Sequence, residues 1–247
     1  MPTTVYDEHA DFYVDFVDRV GKTTPHLANI DALLAEVGAL DGIDVCDLAC
    51  GEGFLSRILA DRGAHVTGFD QSTALIERAR ARSRPSIRFE VSDAQSLPTV
   101  PDEAFDIVFC HMAAMDIAAI DALFATVHRV LKPQGRFYLT VLHPCFETPF
   151  DAKTERIVEQ DEAGRFVALR VMRYRREGHW QSGGTGVRGH MGAFHRMLST
   201  YLNALIEAGL RIRRLLEPLI PIADYADIND QWAMNIPRRL TICTAKE

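Results

Sequence analysis

The chain has 247 residues, 47% of them hydrophobic and 25% charged, enough for one substantial core or one core with an added lobe. A net charge of −7 supplies no overall field to attract nucleic acid or an anionic membrane. No apolar run is long enough for a bilayer span, and the opening MPTTVYDEHADFYVDF lacks the basic start and apolar core of an export signal.

In chain order, the first 40 or so residues predict two helices. The second places Leu27, Ile30, Leu33, Leu34 and Val37 at helical spacing between a Thr24-Pro25 start and a Gly38 stop. From Ile43 onward, short apolar strands alternate with amphipathic helices. Strands are predicted at 43–48, 65–69, 87–91, 105–110 and 136–142, with helices at 54–61, 72–82 and 120–131. Alternation on such short connections implies parallel strands with right-handed crossovers, which is a doubly wound α/β core. After Leu142 come Pro144, Pro149, the basic run RFVALRVMRYRREGHW and the glycine-rich SGGTGVRGHMG, which predict an inserted lobe or strand pair. A helix follows, with His195 and Arg196 at its opening and Gly209 as its stop, and then two strand-like runs fit a closing antiparallel pair.

Five cysteines with no C-x-x-C pair read as reduced thiols of a cytoplasmic protein, and no ligand cluster has metal-binding spacing.

The most informative stretch is VCDLACGEGFLS at 45–56, a strand entering a glycine turn and then a helix. Ligands on such sheets bind at the carboxyl ends of the strands. A dinucleotide fingerprint requires a third glycine where Ser56 stands, and Glu52 would repel a pyrophosphate on the helix N-terminus. A ligand with cationic groups and ribose hydroxyls suits the acids better. Asp70 ends the second strand, 17 residues after Gly53, and Asp93 ends the third.

These segments resemble the class I S-adenosylmethionine-dependent methyltransferases. DLACGEG is similar to the first motif, with Ala49 where a glycine is common. GFDQS resembles the ribose motif, SDAQSLP the adenine motif, and FDIVFCHM and VLKPQGRFYLTV the fourth and fifth strands. The resemblance implies a mostly parallel, seven-stranded, Rossmann-like sheet in a single methyltransferase domain over 1–247. Its parts would be an N-terminal helical lid (1–40), a cofactor core (41–143), an inserted substrate-side lobe (144–195) and a closing helix and strand pair (196–247). S-adenosyl-L-methionine would be the cofactor. Asp70 would bind the ribose hydroxyls, Asp93 and the Ala94 amide would meet the adenine edge, and backbone groups of Ala49, Gly51 and His111 would hold the methionine part. Cys50, Gly53, Phe54, Leu55, Gln71, Gln95 and Met112 would also line the cofactor site, as would Asp47 unless it only shapes the turn. Tyr13 would cover the cofactor from the lid, unless it only packs on the core face of its helix.

HPCFE at 143–147, with the helix and EPL that follow, is similar to a group of bacterial small-molecule methyltransferases. His143, His111 and His195 are the candidate bases, with Glu147 and Asp116 behind them. Arg170, Arg173, Arg175 and Arg176 form either an anion-binding face, Arg173 and Arg175 sharing one strand side, or a solvated edge. The aromatics Phe146, Phe166, Tyr174, Trp180, Phe194 and Trp232 could furnish an apolar pocket. The expected activity is metal-independent methyl transfer to oxygen or nitrogen of a small-molecule acceptor, by a monomer or homodimer. The alternatives are an RNA-modifying methyltransferase and a non-catalytic cofactor-binding regulator.

Overall fold

A computed structural model describes residues 3–21, 23–147, 149, 157–163, 165–218 and 236–247. Trp232 lies outside them, as does the side chain of Phe166. The N-terminal region holds three helices rather than two: α1 (Val5–Glu8), α2 (Ala10–Val20) and α3 (Thr24–Val37). The core then alternates β1 (Asp44–Leu48), α4 (Phe54–Ala60), β2 (His65–Asp70), α5 (Thr73–Arg82), β3 (Arg88–Val91), β4 (Phe105–His111), α6 (Ile120–Val130) and β5 (Leu131–Leu142). Beyond it come β6 (Ile157–Gln160), β7 (Phe166–Arg170), β8 (Gly178–Trp180), α7 (Val187–His190), β9 (Ala193–His195), α8 (Leu198–Glu207), β10 (Leu210–Leu216) and β11 (Arg239–Lys246).

Seven strands form one sheet in the order β10-β11-β5-β4-β1-β2-β3. Strands β3, β2, β1, β4 and β5 are parallel neighbours, and β11 runs antiparallel between β5 and β10. Parallel strands are covered on both faces, so Val45, Cys46, Leu48, Val108 and Phe109 are almost wholly buried. Alternation along each strand divides them between two cores. Val108, Phe137, Leu139 and Val141 pack on the α6–α8 side with Leu123, Phe124 and Leu205, while Ile107, Phe109 and Tyr138 face α3, α4 and α5. The strand order reverses between β1 and β4, so the carboxyl ends of these two strands flank the crevice that receives a ligand.

Three predicted elements differ. Strand β5 begins at Leu131, five residues before the predicted start at 136. Pro133 cannot continue helix α6, Gln134 takes φ 63°, and Leu131 already pairs with Phe105. The inserted lobe, predicted as a strand pair or extended lobe, contains two antiparallel pairs among the described residues, β6–β7 and β8–β9. The basic run leaves its strand after Arg170, and Arg173 turns at φ 59°, so Arg173 and Arg175 do not share a strand face.

Candidate active site

The turn after β1 is shaped by small residues in left-handed conformations: Ala49 at φ 56°, Gly51 at 57° and Gly53 at 82°. Gly53 caps α4, and a Cβ there would come within 2.8 Å of the Phe89 ring. Its role is helix–sheet packing, and it lines neither of the cavities described below. A Cβ on Gly51 would meet the Tyr13 ring at 3.2 Å, so glycine lets the lid tyrosine lie on the turn.

The acids of the turn are not solvated. Glu52 is 1% exposed and pairs with Arg57 at 2.8 Å and Arg82 at 3.3 Å. Ser56, at the third position of the would-be fingerprint, donates to Asp47 at 2.5 Å. Burial pushes the Asp47 carboxyl up to about 7, against the lowering effect of Ser56. Asp70 accepts from the Gly51 N–H at 2.8 Å and the Ser72 N–H at 2.9 Å, and burial raises it to about 6. The cap of α5 is Ser72, whose hydroxyl accepts from Leu75 N–H, so Asp70 is not the capping residue. Asp93 accepts from Gln95 N–H at 2.9 Å, and Gln95 in turn accepts from Ala119 N–H.

Two contiguous cavities open at the strand ends. One, of about 230 Å³, is lined by Asp70, Gln71, Asp93, Ala94 and Gln95 with Gly51. The other, of about 350 Å³, is lined by Asp47, Cys50, Phe54, Leu55 and His111, with Phe16, Val17 and Val20 of α2. Tyr6, Tyr13, Ala49, Met112 and Asp116 line both. Of the cofactor residues expected from the sequence, all but Gly53 border this paired space. The donor set fits S-adenosylmethionine. The buried carboxyls of Asp47 and Asp70, which form no ion pair among the described residues, favour hydroxyls and cationic groups over a pyrophosphate.

The lid is tied down from several elements. Tyr6 donates to Asp116 at 2.9 Å and meets Tyr13 edge-on at 5.2 Å. Arg188, delivered by the lobe, pairs with Asp116 and donates to the Gly192 carbonyl at 2.8 Å. Asp11 and Asp18 of α2 pair with Arg78 and Arg82 of α5.

The three candidate histidines are not brought together. His143 begins a one-turn helix after β5, where its Nδ1 accepts from Cys145 N–H at 3.3 Å. Its Nε2 meets Glu217 at 2.6 Å, and it lines none of the described cavities. His195 ends β9 instead of opening α8, and its Nε2 lies 2.8 Å from the Tyr174 carbonyl oxygen. Arg196 lies in the loop and donates to the carbonyls of Ala114, Ile117 and Ala118, fixing the segment after β4. His111 alone of the three lines the larger cavity.

Its neighbour there is His26, with ring centroids 5.8 Å apart. Neither nitrogen of either ring has a hydrogen-bond partner among the described residues, although all four are sealed from solvent. Leaving such a group unmet costs about 1–3 kcal/mol, so four together mark a place completed by a ligand. Burial lowers His26 to about 4 and holds His111 well below the usual imidazole range, with His26 acting on His111 and Arg239 pushing both the same way. His26 escaped the sequence reading. The signal was a histidine on the stripe His26, Ile30, Leu33, Val37, whose other members are buried core residues. Arg188 and Arg239 carried no comparable signal, because only the fold brings them to the cavity.

Comparison with known proteins bears on the fold and the domain. A family model described as a methyltransferase domain matches residues 46–139. Malonyl-[acyl-carrier protein] O-methyltransferase of Pseudescherichia vulneris is 30% identical over 138 residues, 56% of this chain and 54% of that protein, so the chain spans about half the length of that relative. The crystal structure of an S-adenosylmethionine dependent methyltransferase from Mesorhizobium loti superposes with TM-score 0.75 at 28% identity, covering 89% of this chain and 98% of that one. A putative S-adenosylmethionine dependent methyltransferase from Listeria monocytogenes gives 0.68 at 26%, covering 85% and 93%. The chain thus carries a methyltransferase domain at 46–139, on a seven-stranded fold that it shares with S-adenosylmethionine-dependent methyltransferases.

Proposed function

We propose that this protein transfers a methyl group from S-adenosylmethionine to an oxygen or nitrogen of a small-molecule acceptor. The observation that carries the reading is the paired cavity. Its smaller part offers Asp70 to ribose hydroxyls and Asp93 with the Ala94 amide to an adenine edge. Its larger part has room beyond the Ala49–Gly51 turn for an acceptor. When bound, S-adenosylmethionine supplies an electrophilic methyl on a sulfonium that is already a good leaving group. The chain's task is then positioning and exclusion of water, worth up to ~7–11 kcal/mol in favourable cases. Tyr13 closes the site from α2, and an aromatic face beside a sulfonium adds about 0.5–2 kcal/mol. Asp47 and Glu52 lie beside the methionine part, and the Asp47 carboxyl suits the cationic amino group when ionised. His111 faces the acceptor, while His143 and His195 support the walls around it.

Five free cysteines favour a cytoplasmic location, and no helix among the described residues is long and apolar enough to cross a membrane. The test is turnover with methyl-labelled cofactor against a panel of carboxylic acids, phenols and amines, with a tRNA pool in parallel. Label on a small molecule is expected. Label on RNA alone, or cofactor binding with no transfer to any acceptor, overturns the reading.

A further inference from the structure

The larger cavity carries charge of opposite sign in two places. Asp116 and Glu52, with Asp70 of the adjoining cavity, act on the hydroxyl of Tyr13 and outweigh the opposing guanidinium of Arg188. Around His26 and His111 the acting charge is the guanidinium of Arg239, and Arg238 also lines the wall. An acidic place beside the turn suits a cationic cofactor. A second place, with a positive field and imidazole N–H groups awaiting partners, suits an anion.

We propose that the acceptor is an organic carboxylate, received by the imidazoles of His26 and His111 in the field of Arg239, with its carbon body against Phe16, Val20 and Phe54. This rests on the methyltransferase reading above. Each neutral imidazole offers one N–H donor and one acceptor nitrogen, so the pair can present two N–H groups to a carboxylate. Arg239 has contacts of its own and contributes its charge. Apolar groups from α2 and the start of α4 leave the body of the acceptor dry.

The protonation behaviour of the pair agrees with an anionic acceptor. A phenol or ammonium group must lose a proton to react, and imidazoles whose burial disfavours the protonated form are poor proton acceptors. A carboxyl group, with an ordinary pKa of roughly 4, arrives already ionised. In the transfer, a bond forms between one carboxylate oxygen and the methyl carbon. The bond between that carbon and sulfur breaks, and its electron pair stays on sulfur. An anion and a sulfonium cation become a neutral ester and a neutral thioether, and no proton moves. The chain therefore needs a hydrogen-bonding station in place of a base, and His26 serves as a substrate-binding residue that the motifs of the core do not reveal.

The test uses the full chain saturated with S-adenosylhomocysteine. Benzoate, phenylacetate and octanoate are titrated by calorimetry, beside the alcohol, primary amide and amine of the same carbon bodies. At least one carboxylate is expected to bind at least tenfold more tightly than its matched neutral and cationic partners. With labelled cofactor, that carboxylate should yield a methyl label released as methanol by mild alkali. His26→Phe should weaken carboxylate binding tenfold or more while leaving S-adenosylhomocysteine affinity within twofold. Should His26→Phe unfold, His26→Gln, which keeps a donor, is expected to retain part of the carboxylate binding. No carboxylate preference, or alkali-stable label on phenols or amines with none on acids, overturns the proposal. Failure to bind S-adenosylhomocysteine at all would instead overturn the reading beneath it.

Discussion

Ala49 holds a left-handed backbone at φ 56° in the middle of the cofactor turn. A side chain there costs about 1–2 kcal/mol, against roughly 0.4–1 kcal/mol of extra unfolded-state entropy if glycine replaces it. Ala49→Gly should therefore leave stability unchanged or raise it by up to about 1.6 kcal/mol, a gain of at most roughly 3–6 °C in Tm. Scanning calorimetry with and without S-adenosylhomocysteine checks this, and a fall in Tm would show that the alanine methyl packs productively. The sequence made Ala49 visible as a departure from the motif and left its backbone hidden. Glu52 is the converse. Its charge was legible, but its burial depends on Arg82, thirty residues along the chain, and no local pattern announces that pair. The histidines divide on the same principle. His111 could be placed because it ends a recognisable strand, whereas the engagement of His143 by Glu217 and the meeting of His26 with His111 are made by tertiary contact.

Among the elements, α1 and α2 form the part of the site that can be loosened selectively. Asp7 serves two helices at once. It completes the capping box of α1 with Thr4, and its carboxylate accepts from Ser72 Oγ at 2.7 Å and Ala74 N–H at 3.0 Å at the start of α5. Burial works to raise this carboxyl, but the hydrogen bonds from Ala74, Ser72 and Thr4 outweigh it and hold it well below the usual range. The stabilisation is therefore present above the ordinary carboxylate pKa and is lost as pH falls through the lowered one. Asp7→Ala should cost about 0.5–2 kcal/mol, as loss of a cap does. Hydrogen exchange should then quicken at amides of α1 and α2 and remain unchanged in α6; equal acceleration in α6 would mean that the lid is not a separable unit.

The core elements were legible because buried parallel strands and amphipathic helices have unmistakable periods. The inserted lobe was not, since β8 and β9 are three-residue strands and α7 is a single turn within a glycine-rich run. So short a piece has no period to read.

At the scale of the whole molecule, the sheet order reverses between β1 and β4, helices α1 and α2 are tied across the crevice, and two contiguous cavities open there, the larger lined by charges of both signs. The motifs pointed to the proposed cofactor half because its residues sit at strand ends in fixed order. They were silent about the proposed acceptor half, the larger cavity, whose walls come from α2, α3, β4, the lobe and the start of β11 as well as from the turn after β1. The claim on which the rest depends is that Asp70 holds the ribose of S-adenosylmethionine. Calorimetry of S-adenosylhomocysteine with the wild-type chain and with Asp70→Ala tests it most directly. The account predicts one site per chain and a loss of roughly 1.5–3 kcal/mol in the variant, the worth of hydrogen bonds to a charged group. Unchanged affinity in Asp70→Ala, or binding of NAD in place of S-adenosylhomocysteine, would contradict it.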